Sequence, residues 1–352
     1  MKIAPIYEQF KKHNNVEQVL VHTGQHHDAD MSKVFFDELK LPKPDLYLGV
    51  ESGTRIHEHA EIMERFERVL QGEKPDLVVV VGDVTSTLSC AEVAKDYEIP
   101  IAHIEAGLRC YDETMPEEIN RTLTDKISTY LFVTEKDAIG NLEKENINKN
   151  RIFFVGNVMI DTLLKHKKEA DKLDSSSKLG LKKGTYVVMT MHRPHNVDVK
   201  DNFVQIIEAV NEIAGEIDMI YPIHPRSRKM AEKFGLLEKM NYLKLVEPLG
   251  YLEFLNLVSN CKFILTDSGG LEEEATILGV PCLTLRDVTE RPVTVIEGTN
   301  ILVGSNKEKI VSEGRKILQG EIKMGKIPEL WDGKAAERIV KILLEKNEKE
   351  KG

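Results

Sequence analysis

The chain predicts an α/β protein of two domains, each built on a parallel, doubly wound sheet, and three observations carry that prediction. Short apolar runs such as "PDLVVVVGD" alternate with longer amphipathic runs such as "RIHEHAEIMERFERVL". The apolar runs are hydrophobic nearly throughout rather than at every second position, as strands covered on both faces are. The rhythm is broken once, by a polar segment near the middle, and then restarts.

In chain order, "VEQVLVHTG", "PDLVVVVGD", "IPIAHIEAG" and "TYLFVTE" read as strands, with helices such as "RIHEHAEIMERFERVL" and "TLSCAEVAKDYE" after most of them. The charged, serine- and glycine-bearing stretch "KHKKEADKLDSSSKLGLKKG" is the expected linker. "TYVVMTMH", "IDMIYPIH", "YLKLVEP", "CKFILTDSGG" and "VPCLTLRD" then supply the strands of the second half, and "AAERIVKILLEKNEKEKG" a last helix with a solvated end.

Composition narrows the function classes. The 352 residues exceed what one ordinary core accommodates. With 41% hydrophobic and 30% charged residues the chain reads as globular, without a bilayer-length apolar run or a secretory leader pattern, so no membrane partner is expected. A net charge of −10 argues against general nucleic-acid binding, which needs a basic surface. Cys90, Cys110, Cys261 and Cys282 have neither zinc-site nor C-x-x-C spacing, and a reducing cytoplasm is the expected compartment. There is no G-x-G-x-x-G, no G-x-x-x-x-G-K-[ST] and no metal-ligand spacing, so no nicotinamide, P-loop nucleotide or metal cofactor is expected.

In open α/β sheets ligands bind beyond the carboxyl ends of the strands, and the chemically notable residues stand there. "VVVVGDVTST" ends at Asp83, which either caps the next helix or does chemistry. "IPIAHIEAG" ends at Glu105, a poor cap. Glu117 and Glu118 follow Pro116 at a helix start and could serve the helix dipole or catalysis. "TDSGGLEEEA" offers Ser268, Gly269 and Gly270 at a strand-to-helix turn, where backbone N–H groups and the helix N-terminus favour phosphate, with Glu274 a turn further on for ribose hydroxyls. "LRDVTERP" adds Arg286 and Arg291, suited to a pyrophosphate or to surface salt bridges. "MHRPHN" offers His192, Arg193 and His195; a His–Arg pair facing a phosphate site would clamp a leaving group. "YPIHPRS" gives weaker candidates in His224 and Arg226. In "TGQHHDADM", Asp28 could cap a helix, while Gln25, His26 and His27 are unusual at such a turn.

The ordered set "VGDVTST", "HIEAGLR", "MPEEINR", "HRPHN", "DSGGLEEEA" and "RDVTERP" resembles the non-hydrolysing UDP-N-acetylglucosamine 2-epimerases, from the first residues to about Val303. The resemblance implies a GT-B-like fold of two Rossmann-like domains with the active site in the cleft, a homodimer, and interconversion of UDP-GlcNAc and UDP-ManNAc. It implies an N-terminal catalytic domain over residues 1–165, joined by a returning helix over 333–352, and a UDP-binding domain over 166–332. It assigns catalysis to Asp83, Glu105, Glu117 and His192. Substrate contacts fall on Lys2, Arg193, on Phe254 near the uracil, on Ser268, Gly269 and Gly270 at the phosphates, on Glu274 at the ribose and on Arg291. Gln25 and His26 match the region where bacterial relatives bind a second, activating UDP-GlcNAc. Leu249 stands where relatives have a glutamine in the uracil region. The family's opening strand and Gly-Thr-Arg-Pro-Glu loop have no counterpart before "MKIAPIYEQF", which matches the helix that follows them, so a start placed too far downstream is expected.

Overall fold

A computed structural model of the chain describes residues 1–24, 38–39, 41–51 and 53–351, the last few without their side chains. It divides into two compact units, Met1–Thr162 with Glu329–Gly352, and Leu163–Pro328.

In the first unit, β3 (Val78–Val81), β4 (Ile101–Ala106), β5 (Tyr130–Val133) and β6 (Ile152–Phe154) form a parallel sheet in the order β3-β4-β5-β6. The short strands β1 (Val21–His22) and β2 (Leu46–Tyr47) form a separate parallel pair. β4 and β5 are buried at every position, which is why their sequences run apolar without alternation. One face of the sheet is covered by Ile6 and Phe10 of the helix Ile3–Phe10 and by Ile339, Val340 and Leu343 of the helix Ala335–Lys351. Asp161 starts that last helix by accepting the backbone N–H groups of Ala335 and Ala336, at 3.1 and 2.8 Å. Among the described residues, no helix is long and apolar enough to cross a membrane.

The second unit carries six parallel strands: β7 (Tyr186–Thr190), β8 (Asp218–Pro222), β9 (Leu243–Val246), β10 (Phe263–Thr266), β11 (Cys282–Thr284) and β12 (Asn300–Leu302), in the order β12-β11-β10-β7-β8-β9. Chain order runs outward from β7 in one direction and from β10 in the other. The switch point, where ligands of such sheets bind, therefore lies between β7 and β10. Thr190 and Thr266 pair there in register, and their hydroxyls bond at 2.6 Å.

The polar stretch expected to be a linker is ordered. A helix spans Val158–Ala170 and a short one Ser175–Lys178. Its charges end a helix whose apolar first half lies upstream of the polar run.

Candidate active site

In the first unit, Val81 of β3 pairs with Ile104 of β4, and the Gly82 N–H donates to the Ile104 carbonyl at 3.0 Å. The next step brings Asp83 and Glu105 to adjacent strand ends. The β4–β5 register slips between Ile104 and Ala106, and Glu105 takes φ +72°. That left-handed conformation is rare for a residue with a side chain and concentrates at functional sites. The bulge re-aims the Glu105 carboxylate, which is buried and ion-paired with Lys2. A Cβ on Gly82, whose φ is +74°, would come within 3.2 Å of Lys2 Nζ, so glycine leaves room for this pair.

Asp83 is no helix cap. The cap position of the helix Thr85–Asp96 is Val84, and the Asp83 carboxylate bonds Arg121 instead. Arg121 also donates to Glu118 at 2.6 Å, and Asn120 donates to the Asp83 carbonyl at 2.8 Å. These partners come from the helix Pro116–Ile127, whose inward face carries Glu118, Asn120 and Arg121. Glu118, read from the sequence as serving the helix dipole or catalysis, accepts the Tyr111 backbone N–H at 2.9 Å and that of Cys110 at 3.2 Å. It thereby ties down the loop after β4. Glu117 lies exposed in the first turn of the same helix, apart from this buried cluster. Arg121 was missed in the sequence; its three-residue spacing from Glu118 was the available signal.

In the second unit, His192 and Arg193 follow β7, and Ser268 and Gly269 follow β10, so both sets border the switch point. Asp267 joins them. Its buried carboxylate accepts backbone N–H groups of His192 (3.0 Å) and Arg193 (2.9 Å), the Asn196 amide (3.1 Å), and lies 3.1 Å from His192 Nδ1. Burial raises its pKa, but the hydrogen bond and charge of His192 and the two backbone donors win, and it lies below the ordinary carboxylate value. The His192 ring itself stays partly open to solvent.

Ser268 begins the helix Gly269–Leu278 without a side-chain capping bond. Arg291 pairs with Glu273 and, at 2.6 Å, with Glu290. Glu290 also meets Arg286 at 2.5 Å and Arg193 at 3.4 Å, so three guanidinium groups gather around one buried carboxylate held well below its ordinary pKa. A Cβ on Gly269 would stand 2.7 Å from Arg291 Nη1. Glycine is therefore required for the arginine to lie against the helix N-terminus, where an anion is favoured. Glu274 is buried, takes a hydrogen bond from the Tyr251 hydroxyl at 3.2 Å, and is pushed up to about 7 by burial. Tyr251 opens the helix that carries the half-buried Phe254.

Other candidates have local tasks. His224 caps its own helix by accepting the Arg226 N–H at 3.1 Å, and Arg226 pairs with Asp198. The half-buried Asn202 donates to the carbonyl of the exposed His195 at 2.9 Å. Gln25, His26, His27 and Asp28 lie outside the described residues.

Two parallel-sheet units, the second six-stranded with its switch point between β7 and β10, define the GT-B-like class of α/β proteins. The chain belongs to the UDP-N-acetylglucosamine 2-epimerase family, whose model matches residues 8–344. It is 45% identical over 351 residues to the UDP-N-acetylglucosamine 2-epimerase of Methanocaldococcus jannaschii, covering 97% of this chain and 95% of that protein. It is 39% identical to the UDP-2,3-diacetamido-2,3-dideoxy-D-glucuronate 2-epimerase of Pseudomonas aeruginosa, over 90% of this chain and 89% of that one. The crystal structure of the M. jannaschii UDP-GlcNAc 2-epimerase in complex with UDP-GlcNAc and UDP superposes with a TM-score of 0.91 at 44% identity, covering 97% of this chain and 96% of that chain.

Proposed function

We propose that the protein epimerises UDP-GlcNAc at C2 to UDP-ManNAc, reversibly and without hydrolysis. C2 bears an acetamido group, so its proton is not acidic in the ground state and no hydroxyl is available there for oxidation. Elimination is the remaining route. The C1–O bond breaks with its electron pair going to UDP, C1 gains oxocarbenium character, and a carboxylate takes the C2 proton to leave a 2-acetamidoglucal. Delivery of a proton to the opposite face of C2 and return of the UDP oxygen to C1 complete the inversion.

The observation that carries this reading is the pair Asp83 and Glu105 at adjacent strand ends, each held by a cation. Arg121 bonds one and Lys2 the other, an environment that can set two acids to different tasks. Glu117 joins them as the third acid. His192 and Arg193 would clamp the departing diphosphate, the Ser268–Gly269–Gly270 turn and Arg291 would hold it, Glu274 would take the ribose hydroxyls and Phe254 the uracil.

The Pseudomonas relative is named for a sugar differing at C3 and C6 but epimerised at the same carbon, so the C2 chemistry does not depend on those substituents. Incubation with UDP-GlcNAc alone, followed by NMR, tests the reading. A stable plateau containing UDP-ManNAc is expected. Free ManNAc with UDP would indicate a hydrolysing enzyme, and no reaction a binding protein.

A further inference from the structure

Asp125, on the helix Pro116–Ile127, grips the chain on both sides of Glu105. Its Oδ1 lies 2.6 Å from His103 Nδ1, two residues before Glu105, and its Oδ2 accepts the Gly107 backbone N–H at 3.0 Å, two residues after. Arg109 adds a contact to Oδ2 at 2.7 Å and reaches Glu145 at 2.7 Å. The side chains of His103 and Asp125 are fully buried.

The second nitrogen of His103, Nε2, lies 2.8 Å from the carbonyl oxygen of Gly82, the residue before Asp83. A carbonyl only accepts, so Nε2 carries a hydrogen. Asp125 is ionised: burial opposes its charge, but His103 and Arg109 outweigh that and hold it below the ordinary value. The imidazole thus bridges the Asp125 carboxylate and the Gly82 carbonyl, while the buried Arg109 guanidinium pairs with both Asp125 and Glu145.

The cluster holds three left-handed backbone positions beside the carboxylates: Gly82, Glu105 in its bulge, and Gly107. A non-glycine residue keeps such a conformation only where its surroundings over-determine it. We propose that Asp125 and His103 are positioning residues for the epimerase reaction, Asp125 fixing the Glu105 bulge and His103 carrying that restraint through the Gly82 carbonyl to Asp83. The proposal rests on the reading of Asp83 and Glu105 as the acids and bases of the reaction.

The test is the kinetics of two variants measured beside the parent. His103→Asn keeps an N–H for Asp125 but does not reach Gly82; His103→Gln reaches Gly82 but releases Asp125. Each should lower kcat by about tenfold or more with KM for UDP-GlcNAc changed less than about twofold, since misplacement rather than binding is affected. A kcat at the parent value in either variant, or a loss confined to KM, overturns the proposal. Failure of both variants to fold would assign the cluster to stability alone and also overturn it. Glu105→Gln is measured alongside. If that variant turns over normally, the carboxylate reading itself fails, whatever His103 does.

Discussion

Arg121 bonds the Asp83 carboxylate with one end of its guanidinium and the Glu118 carboxylate with the other, linking the turn after β3 to the loop after β4. Both Arg121 and Glu118 are buried. Truncation of the arginine leaves Glu118 buried without its cation, and breaking such a pair costs about 3–5 kcal/mol. Arg121→Met is expected to lower stability on that scale in urea unfolding. Converting Glu118 to Gln in the same chain should recover part of the loss, because a neutral amide is far cheaper to bury. A double variant no more stable than Arg121→Met would contradict the pairing.

The carboxylates should be separable from substrate binding. Asp83→Asn, Glu105→Gln and Glu117→Gln are each expected to reduce turnover by at least about a hundredfold, the scale of lost general acid–base catalysis. UDP affinity should move far less, because the groups that would hold UDP belong to the second unit. Glu117 is the informative member, since it is exposed while the other two are held by cations. Steady-state kinetics with calorimetry of UDP decides. Normal turnover in all three removes the acids from the mechanism.

The sheet architecture was legible because its signal is local. "DLVVVV" and "FILT" run apolar, and a strand buried on both faces cannot be otherwise. Asp83, Glu105 and the Ser268–Gly269–Gly270 turn were legible as strand-end residues for the same reason. What holds them was not. Arg121 reaches Asp83 from 38 positions away, and Asp125 reaches His103 from 22 away; no periodicity announces such pairs. Within "PEEINR", helix-start chemistry alone did not rank Glu117 against Glu118; the family resemblance chose Glu117, and the helix turns Glu118 inward. The polar run after Lys165 does not show its helix in the sequence, because a solvated helix end and an irregular connection have the same charged composition.

Gly269 is a sharp steric test. Alanine near a helix N-terminus ordinarily gains a few tenths of a kcal/mol from reduced freedom of the unfolded chain. Here its methyl would meet Arg291 Nη1 at 2.7 Å and Glu290 Oε1 at 3.1 Å, and Arg291 is already bonded to Glu273 and Glu290. The arginine has little freedom to withdraw. Gly269→Ala should therefore destabilise by about 1–3 kcal/mol, the usual cost of overpacking, and weaken UDP binding together with it. Thermal unfolding and calorimetry report both quantities. A stabilised variant with unchanged UDP affinity would show that Arg291 does not lie against this turn.

Glu274 should couple pH to both stability and UDP binding. Burial lifts its folded-state pKa from 4.5 to about 7, while the Tyr251 hydroxyl bond acts the other way. The folded state thus holds a proton that the unfolded chain releases at lower pH. Its contribution to stability is complete below about pH 4.5 and is lost as pH rises through about 7. Glu274→Gln should flatten that part of the stability–pH curve. If the ribose hydroxyls donate to this carboxylate, UDP binds its ionised form better. Binding near neutral pH should then release a proton that Glu274→Gln does not. Calorimetry in two buffers of different ionisation enthalpy measures this as a difference between parent and variant, which cancels the titration of UDP itself. Loss of the carboxylate in Glu274→Ala should also weaken UDP binding by about 1–3 kcal/mol, the worth of hydrogen bonds to a charged group. Equal proton release and equal affinity in parent and variants would place the ribose elsewhere.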